Sequence, residues 1–403
     1  MKVRNLLAVK LATVLGAFVT AMAMPVHADG LDDMAQAVKN STVKLNFRYR
    51  LESVDQDGAP EDATASTLKS RLTWQSGKMG NVKLNVEVDN VTAIGFKDYN
   101  STTNGKTQYP VVADPEGTDL NLANFMYEDD AFTFVGGRQR IVHDNQRFVG
   151  GVAWRQNEQT FDAARFIYKA SDAFTIDYSY VFNVNRIFGP NDGVQPADWH
   201  GHFHLANAKW ILAKNHKLSA FAYLLDNEVI SGASSNTFGM NYVGNFGVIT
   251  ANLSYAMQSD AGDNINDYDA DYYKVELAAK LSEVKLIAGL EVLGSDNGIG
   301  FSTPLATLHK FQGFADKFLG TPGAGIEDMY ISAVTTVGGV KLVLTYHDYE
   351  SEQGSMSYGS EIDFVASYKF NKHVSGLLKF AAYDADQRAT DTNKLWAMLN
   401  FSF

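Results

Sequence analysis

The chain has 403 residues, 34 of them Lys or Arg against 46 Asp or Glu, and no cysteine. The acidic balance argues against a nucleic-acid partner, and the missing thiols exclude disulfides, thiolate metal sites and a lipid-anchored cysteine. With 8 prolines, no Ser/Gly-rich spacer and no charge block, nothing marks a boundary between separate domains.

Residues 1–28 read as a secretory signal. Lys2 and Arg4 precede an apolar run from Leu11 to Met24, and Val26-His27-Ala28 supplies the small-residue cleavage pattern. The run is too short for a spanning helix. Loss of Lys2, Arg4 and Lys10 with it moves the formal charge from -12 to about -15, three positive charges fewer. Residues 29–40 follow as a short periplasmic segment. In a helix it would gather Leu31, Met34, Ala35 and Val38 on one side.

From Ser41 to the end the period is two. Val43, Leu45, Phe47, Tyr49 and Leu51 alternate with Lys44, Asn46, Arg48, Arg50 and Glu52. The same rhythm runs through Leu68 to Gln75, Val82 to Asp89, Tyr273 to Leu281 and Glu361 to Phe370. Each such strand has one oily and one wet face. About eighteen strands are predicted. Short links fall near Gly77–Gly80, Asp129–Asp130, Ala170–Ala173, Lys214–Lys217, Gly244–Gly247, Ser282–Glu283, Gly338–Gly339 and Asn371–His373. Between them come long connections, among them Phe96–Thr118, Ile187–His200, Ser259–Asp269 and Gly294–Gly325. This alternation predicts an all-β fold, a transmembrane antiparallel β-barrel over residues 41–403 with short periplasmic turns and long extracellular loops.

Aromatic residues near strand ends, such as Trp74, Tyr168 and Trp210, suit the two interfacial girdles of such a barrel. The last strand puts Leu395, Ala397, Leu399, Phe401 and Phe403 on one face. It resembles the terminal signature read by bacterial barrel-assembly machinery. The expected setting is the outer membrane, among lipid and lipopolysaccharide. Eighteen strands leave an aqueous lumen.

Arg48, Arg50 and Arg71 lie on the wet faces of their strands, hence in that lumen, since arginine on the lipid face costs roughly 2–4 kcal/mol at mid-membrane. The stretch GGRQRIVHDNQRFVGGVAWRQNEQTFD, residues 136–162, adds Arg138, Arg140, Arg147 and Arg155, with Asp162 at its end and Arg165 just beyond. Arginine offers a planar fork of donors that suits carboxylate and phosphate. Two readings stay open: braces paired with wall carboxylates, or a track for an anionic solute.

This stretch resembles the GRQ…R.VG…WR…FDA.R pattern of the alginate-export porin family of Gram-negative outer membranes. FSTPLATLHKFQGFADKFLGTPGAGIED, residues 301–328, is similar to a second block of that family, and Asn46 to Glu52 to its first strand. The resemblance implies an eighteen-stranded barrel whose arginine-lined constriction passes a uronate-type saccharide such as alginate. It carries roles over to Arg138, Arg147, Arg155, Asp162 and Arg165. A general diffusion porin without uronate preference is the alternative, and an outer-membrane enzyme or adhesin a remote one.

No G-x-S-x-G, H-E-x-x-H or P-loop occurs, so no enzyme is expected. His200, His202 and His204 share one side of an extended segment and are weak metal candidates. The loop from Asp263 to Asp271 offers oxygen ligands for Ca2+ but lacks EF-hand spacing. No other cofactor is expected. Leu305, Leu308, Phe311, Ala315, Phe318 and Leu319 have rough helical spacing inside the longest loop, and an inward fold into the lumen would bury them.

Overall fold

The computed structural model describes residues 28–403, and the expected signal lies outside them save Ala28, where a helix begins. Helix α1 (Ala28–Lys39) packs below the first strands, with Gly77 N–H donating to the Ala37 carbonyl at 2.8 Å. Its buried contact is Ala37, whereas Val38, expected on the apolar side, is 62% exposed. A Cβ on Gly77 would lie 2.9 Å from the Cβ of Asn40, so a larger residue there would push the turn and the helix end apart.

The strands begin with β1 (Thr42–Gln56), β2 (Ala63–Gln75), β3 (Val82–Asp98), β4 (Gly117–Glu128), β5 (Phe132–Gln139) and β6 (Thr160–Ser171). Next come β7 (Phe174–Asn185), β8 (Asp198–Ala213), β9 (His216–Asn227), β10 (Ser235–Asn245), β11 (Ile249–Asp260), β12 (Asp269–Leu281) and β13 (Val284–Leu293). A small hairpin, β14 (Ser295–Asp296) and β15 (Ile299–Gly300), stands apart from the main sheet. The wall resumes with β16 (Ile326–Val337), β17 (Val340–Glu350), β18 (Ser357–Lys369), β19 (Val374–Ala385) and β20 (Thr392–Ser402).

Eighteen of these form one sheet in which each strand pairs antiparallel with its neighbours, and β1 pairs with both β2 and β20. The barrel is closed, so every ladder is satisfied and no edge remains. All eight predicted short turns join strands of this wall. Both described termini lie at the short-turn end, which is the periplasmic end in outer-membrane barrels.

Alternation decides which side chains meet lipid. Leu45, Leu72, Leu277, Leu344 and Leu395 are exposed on the outer surface. Their inward neighbours include the buried Arg50, Glu87, Lys274, Asp363 and Trp396. The interior is not left empty. Phe148, Phe301, Leu305 and Phe318, from two long connections, pack on the inward rings Phe221, Tyr223, Tyr272, Tyr349, Tyr383 and Trp396. This luminal apolar core fixes both loops against the wall by the same area burial that builds a soluble core.

Candidate functional site

Two connections narrow the lumen. The segment 140–159 leaves the short strand β5 and returns to β6, and the segment 301–325 returns to β16. They bind each other: Gly150 N–H donates to the Leu305 carbonyl at 2.9 Å, and Thr307 Oγ1 to Gln146 Oε1 at 2.8 Å. The second segment is tied to inward carboxylates, with Ala315 N–H to Glu361 at 2.7 Å and Phe314 N–H to Asp363 at 3.2 Å. Inward folding is therefore observed. The apolar stripe is buried as foreseen for Leu305, Phe311, Ala315 and Phe318, but not as a helix. Only the single 3-10 turn Leu308–Lys310 forms, because the chain uses its N–H groups on wall carboxylates instead.

His309 lies at the centre of this junction. Its Nδ1 is 2.6 Å from Asp316 Oδ1 and its Nε2 is 2.7 Å from Lys379 Nζ. The lysine can only donate, so Nε2 accepts and Nδ1 carries the proton: the ring is neutral. Burial, with the charge of Lys379 adding to it against Asp316, pushes His309 down to about 3. Burial alone would raise Asp316, yet His309, Lys394 and Arg155 hold it well below the usual carboxylate range. Trp154 stacks on His309 at 4.5 Å, and the Lys379 ammonium is 4.0 Å from the Trp154 ring centre and 3.1 Å from that of Phe314.

Most of the predicted arginines are paired. Arg50 is buried, 3.1 Å from Asp114, and stacks over Trp154 at 4.4 Å. Arg155 grips Glu52 through two nitrogens at 2.9 and 3.2 Å and approaches Asp316 at 3.5 Å. Arg147 is buried 3.0 Å from Glu291. Arg71 meets Asp89, Glu87 and Glu158, and Arg140 meets Glu87 and Glu158. Arg165 pairs with Asp177. Arg140 at 33% and Arg165 at 17% exposure keep part of the guanidinium open to water.

Arg138 and Asp162 depart from the predicted lumen placement. They are register partners, 2.7 Å apart through Nε and Oδ1, and by alternation share the outward face of Phe134 and Phe166. Gln139, Phe161 and Arg165 take the inward face. The run G-R-Q-R gave no sign of which arginine faced in, because a loop starts one residue after Gln139.

Arg48 and Lys69 lack a carboxylate of their own among the described residues. Arg48 spends its guanidinium on Gln156 Oε1 at 2.9 Å and on the carbonyls of Ala153 and Arg155. Directly opposite it in register lies Lys69, 3% exposed, whose side chain makes no hydrogen bond or ion pair among the described residues. Like charges directly opposite in a sheet destabilise it, and such strain gathers where function needs it. Lys69 lies outside the arginine pattern of the sequence, although the alternation of β2 puts it on the wet face.

The other candidates separate. His202 and His204 alternate with the buried inward Phe203 and Leu205, so they face outward, held by Tyr180 at 2.7 Å and Tyr178 at 2.8 Å. His200 is exposed nearby. In the Asp263–Asp271 loop, Asp271 accepts from Tyr255 at 2.8 Å and the Asp267 carbonyl from Asn297 at 2.9 Å. No group of three His, Cys, Asp or Glu side chains able to hold a metal occurs among the described residues.

Fold and site define a closed transmembrane-type barrel of eighteen strands with a polar lumen narrowed by two inward loops. Solved structures share this architecture. OccAB2 of Acinetobacter baumannii superposes with a TM-score of 0.71 at 15% identity, over 91% of this chain and 99% of that one. OccD3 (OpdP) of Pseudomonas aeruginosa gives 0.71 at 14%, over 91% and 92%, and OccK8 (OprE) of the same organism 0.68 at 14%, over 91% and 98%. At such identities the likeness is one of fold. No family model and no curated protein matches the chain, the alginate-export family included.

Proposed function

We propose that the chain is a restrictive outer-membrane porin that passes small anionic solutes by passive diffusion. The observation that carries this reading is the facing pair Arg48 and Lys69, two cations on adjacent strands that make no ion pair or hydrogen bond to a carboxylate among the described residues. An entering carboxylate or phosphate would neutralise that pair transiently, and the open edges of Arg140 and Arg165 extend the same field. The Occ structures of the same fold are outer-membrane porins, which supports the channel reading without naming a solute. Two inward loops favour small solutes over a polymer strand. Uronate oligomers are the finer reading, favoured by the guanidinium edges that Arg140 and Arg165 keep open, since guanidinium binds planar carboxylates.

The test is reversal potential in planar bilayers under a salt gradient. Wild type is expected to prefer anions, and Lys69→Gln to lose most of that preference, more at low salt than at high, since screening shortens the reach of the field. A cation-selective wild type would overturn the reading. Block by uronate oligomers that Lys69→Gln relieves supports the finer reading; absence of block returns the channel to small anions in general.

A further inference from the structure

On the wall strands, every inward arginine but Arg48 has an acidic partner among the described residues, yet a second set of inward cations has none. At the short-turn end of β17 to β20, a cavity of about 520 Å³ is lined by Lys341, Lys369, Lys372 and His373, with Ser375 and Asn400 between them. No carboxylate is among its lining residues. No hydrogen bond or ion pair is made by the side chains of Lys341, Lys369 or Lys372 among the described residues, and all three are exposed. Position follows from register. Lys341 faces Ser367, two residues from Lys369, which itself faces Ser375. The first two ammonium groups thus start from diagonal neighbours, roughly 7–8 Å apart at the backbone. Lys372 and His373 close the cavity from the β18–β19 turn, where His373 Nδ1 is 2.7 Å from the Ser402 carbonyl and its ring stacks on Phe403 at 5.4 Å.

We propose that this cavity is a binding site for a multivalent anion, a polyphosphate or polycarboxylate, at the periplasmic mouth of the channel. Three lysines line one space of small-molecule size whose lining holds no carboxylate, so a monovalent ion would leave most of the repulsion in place. A ligand with three or more negative charges removes it. Hydroxyl and amide groups of Ser375 and Asn400 supply donors between the charges. The site differs from the constriction in kind: there the guanidinium groups are mostly neutralised by fixed carboxylates, here the charge is left for a ligand. It also stands on different strands from Lys69, so it does not depend on the selectivity assigned to that residue.

Isothermal titration of the folded full chain in detergent with tripolyphosphate tests this. Wild type is expected to bind one equivalent. Lys341→Gln, Lys369→Gln and Lys372→Gln together should weaken it at least about tenfold, the scale of three solvent-exposed ion pairs. The corresponding triple arginine variant should retain binding, and the unboiled gel mobility of both variants shows that the barrel is folded. Lys69→Gln should leave this binding unchanged. No binding to wild type, wild-type affinity in the glutamine variant, or loss of binding in Lys69→Gln would each overturn the proposal.

Discussion

Arg155 shows how far residue type alone can mislead about role. Sequence made it a candidate for the solute path, but the guanidinium is buried and clasps Glu52 with two hydrogen bonds while facing Asp114 and Asp316. Burial alone would lower its pKa, but these carboxylates raise it beyond the ordinary arginine value. Arg155→Ala would strand buried carboxylates, a loss of roughly 3–5 kcal/mol. The temperature at which the folded gel band disappears should therefore drop clearly, and adding Glu52→Gln should recover part of it. A single variant as heat-stable as wild type would mean that water replaces the guanidinium. His309 is legible in the same physical terms but not from sequence, since its partners Asp316, Lys379 and Trp154 come from three separated segments. Well above pH 6.5 the ring is uncharged in folded and unfolded chains alike. Below its ordinary value of 6.5 the unfolded chain takes up a proton that the folded loop refuses until about 3, so stability falls as pH drops through that window. Protonation would set a second N–H against the Lys379 ammonium. Loop fluctuations, seen as current noise, should rise from pH 6.5 downward. His309→Gln keeps one donor and one acceptor and should flatten that rise; an equal rise in the variant would assign it to another group.

At the scale of elements, strands were readable and loops were not. A strand announces itself through period two, because each second side chain must face lipid, and the eight short turns fell where that period broke. Loop 301–325 had only an apolar stripe, whose spacing suggested a helix. Its conformation is instead set by distant wall carboxylates that no local pattern reveals. Gly313 marks the crossing: it has φ +76°, and a Cβ there would strike the Glu361 carboxylate and the Tyr349 hydroxyl. Gly313→Ala should therefore loosen the latch made by Phe314 and Ala315 on Asp363 and Glu361, through both backbone strain and the clash. Mean single-channel conductance should rise, and removing Pro304 to Leu319 should raise it further because the aqueous cross-section widens. Conductance equal to wild type after that deletion would mean that segment 140–159 alone sets the constriction. The same logic explains Arg138. Whether it faced in or out depended on the residue at which β5 ended, and boundaries are the weakest part of a periodic reading.

At the scale of the whole molecule, closure is the property on which everything else depends. The seam joins the first strand to the last through eleven register pairs, Asn46 with Ser402 up to Gln56 with Thr392. Beyond them Phe403 adds two backbone hydrogen bonds to Leu45, at 2.9 and 3.0 Å, and a stacked contact with His373. Its ring is 60% exposed, so it adds little to packing. Each of those hydrogen bonds contributes about 0.5–1.5 kcal/mol net, a small share of a seam that keeps all eleven pairs without them. Deleting Phe403 should therefore leave a chain that refolds in detergent and still migrates faster unboiled than boiled. If the terminal Phe is instead what assembly machinery reads, the same deletion should cut the amount reaching the outer membrane severalfold while export across the inner membrane continues. The two measurements separate the roles, since a purely structural contribution would lower refolding and cellular yield together. Equal cellular yield with and without Phe403 would assign recognition to the inner part of β20, where Leu395 and Leu399 face lipid and Trp396 is buried in the lumen.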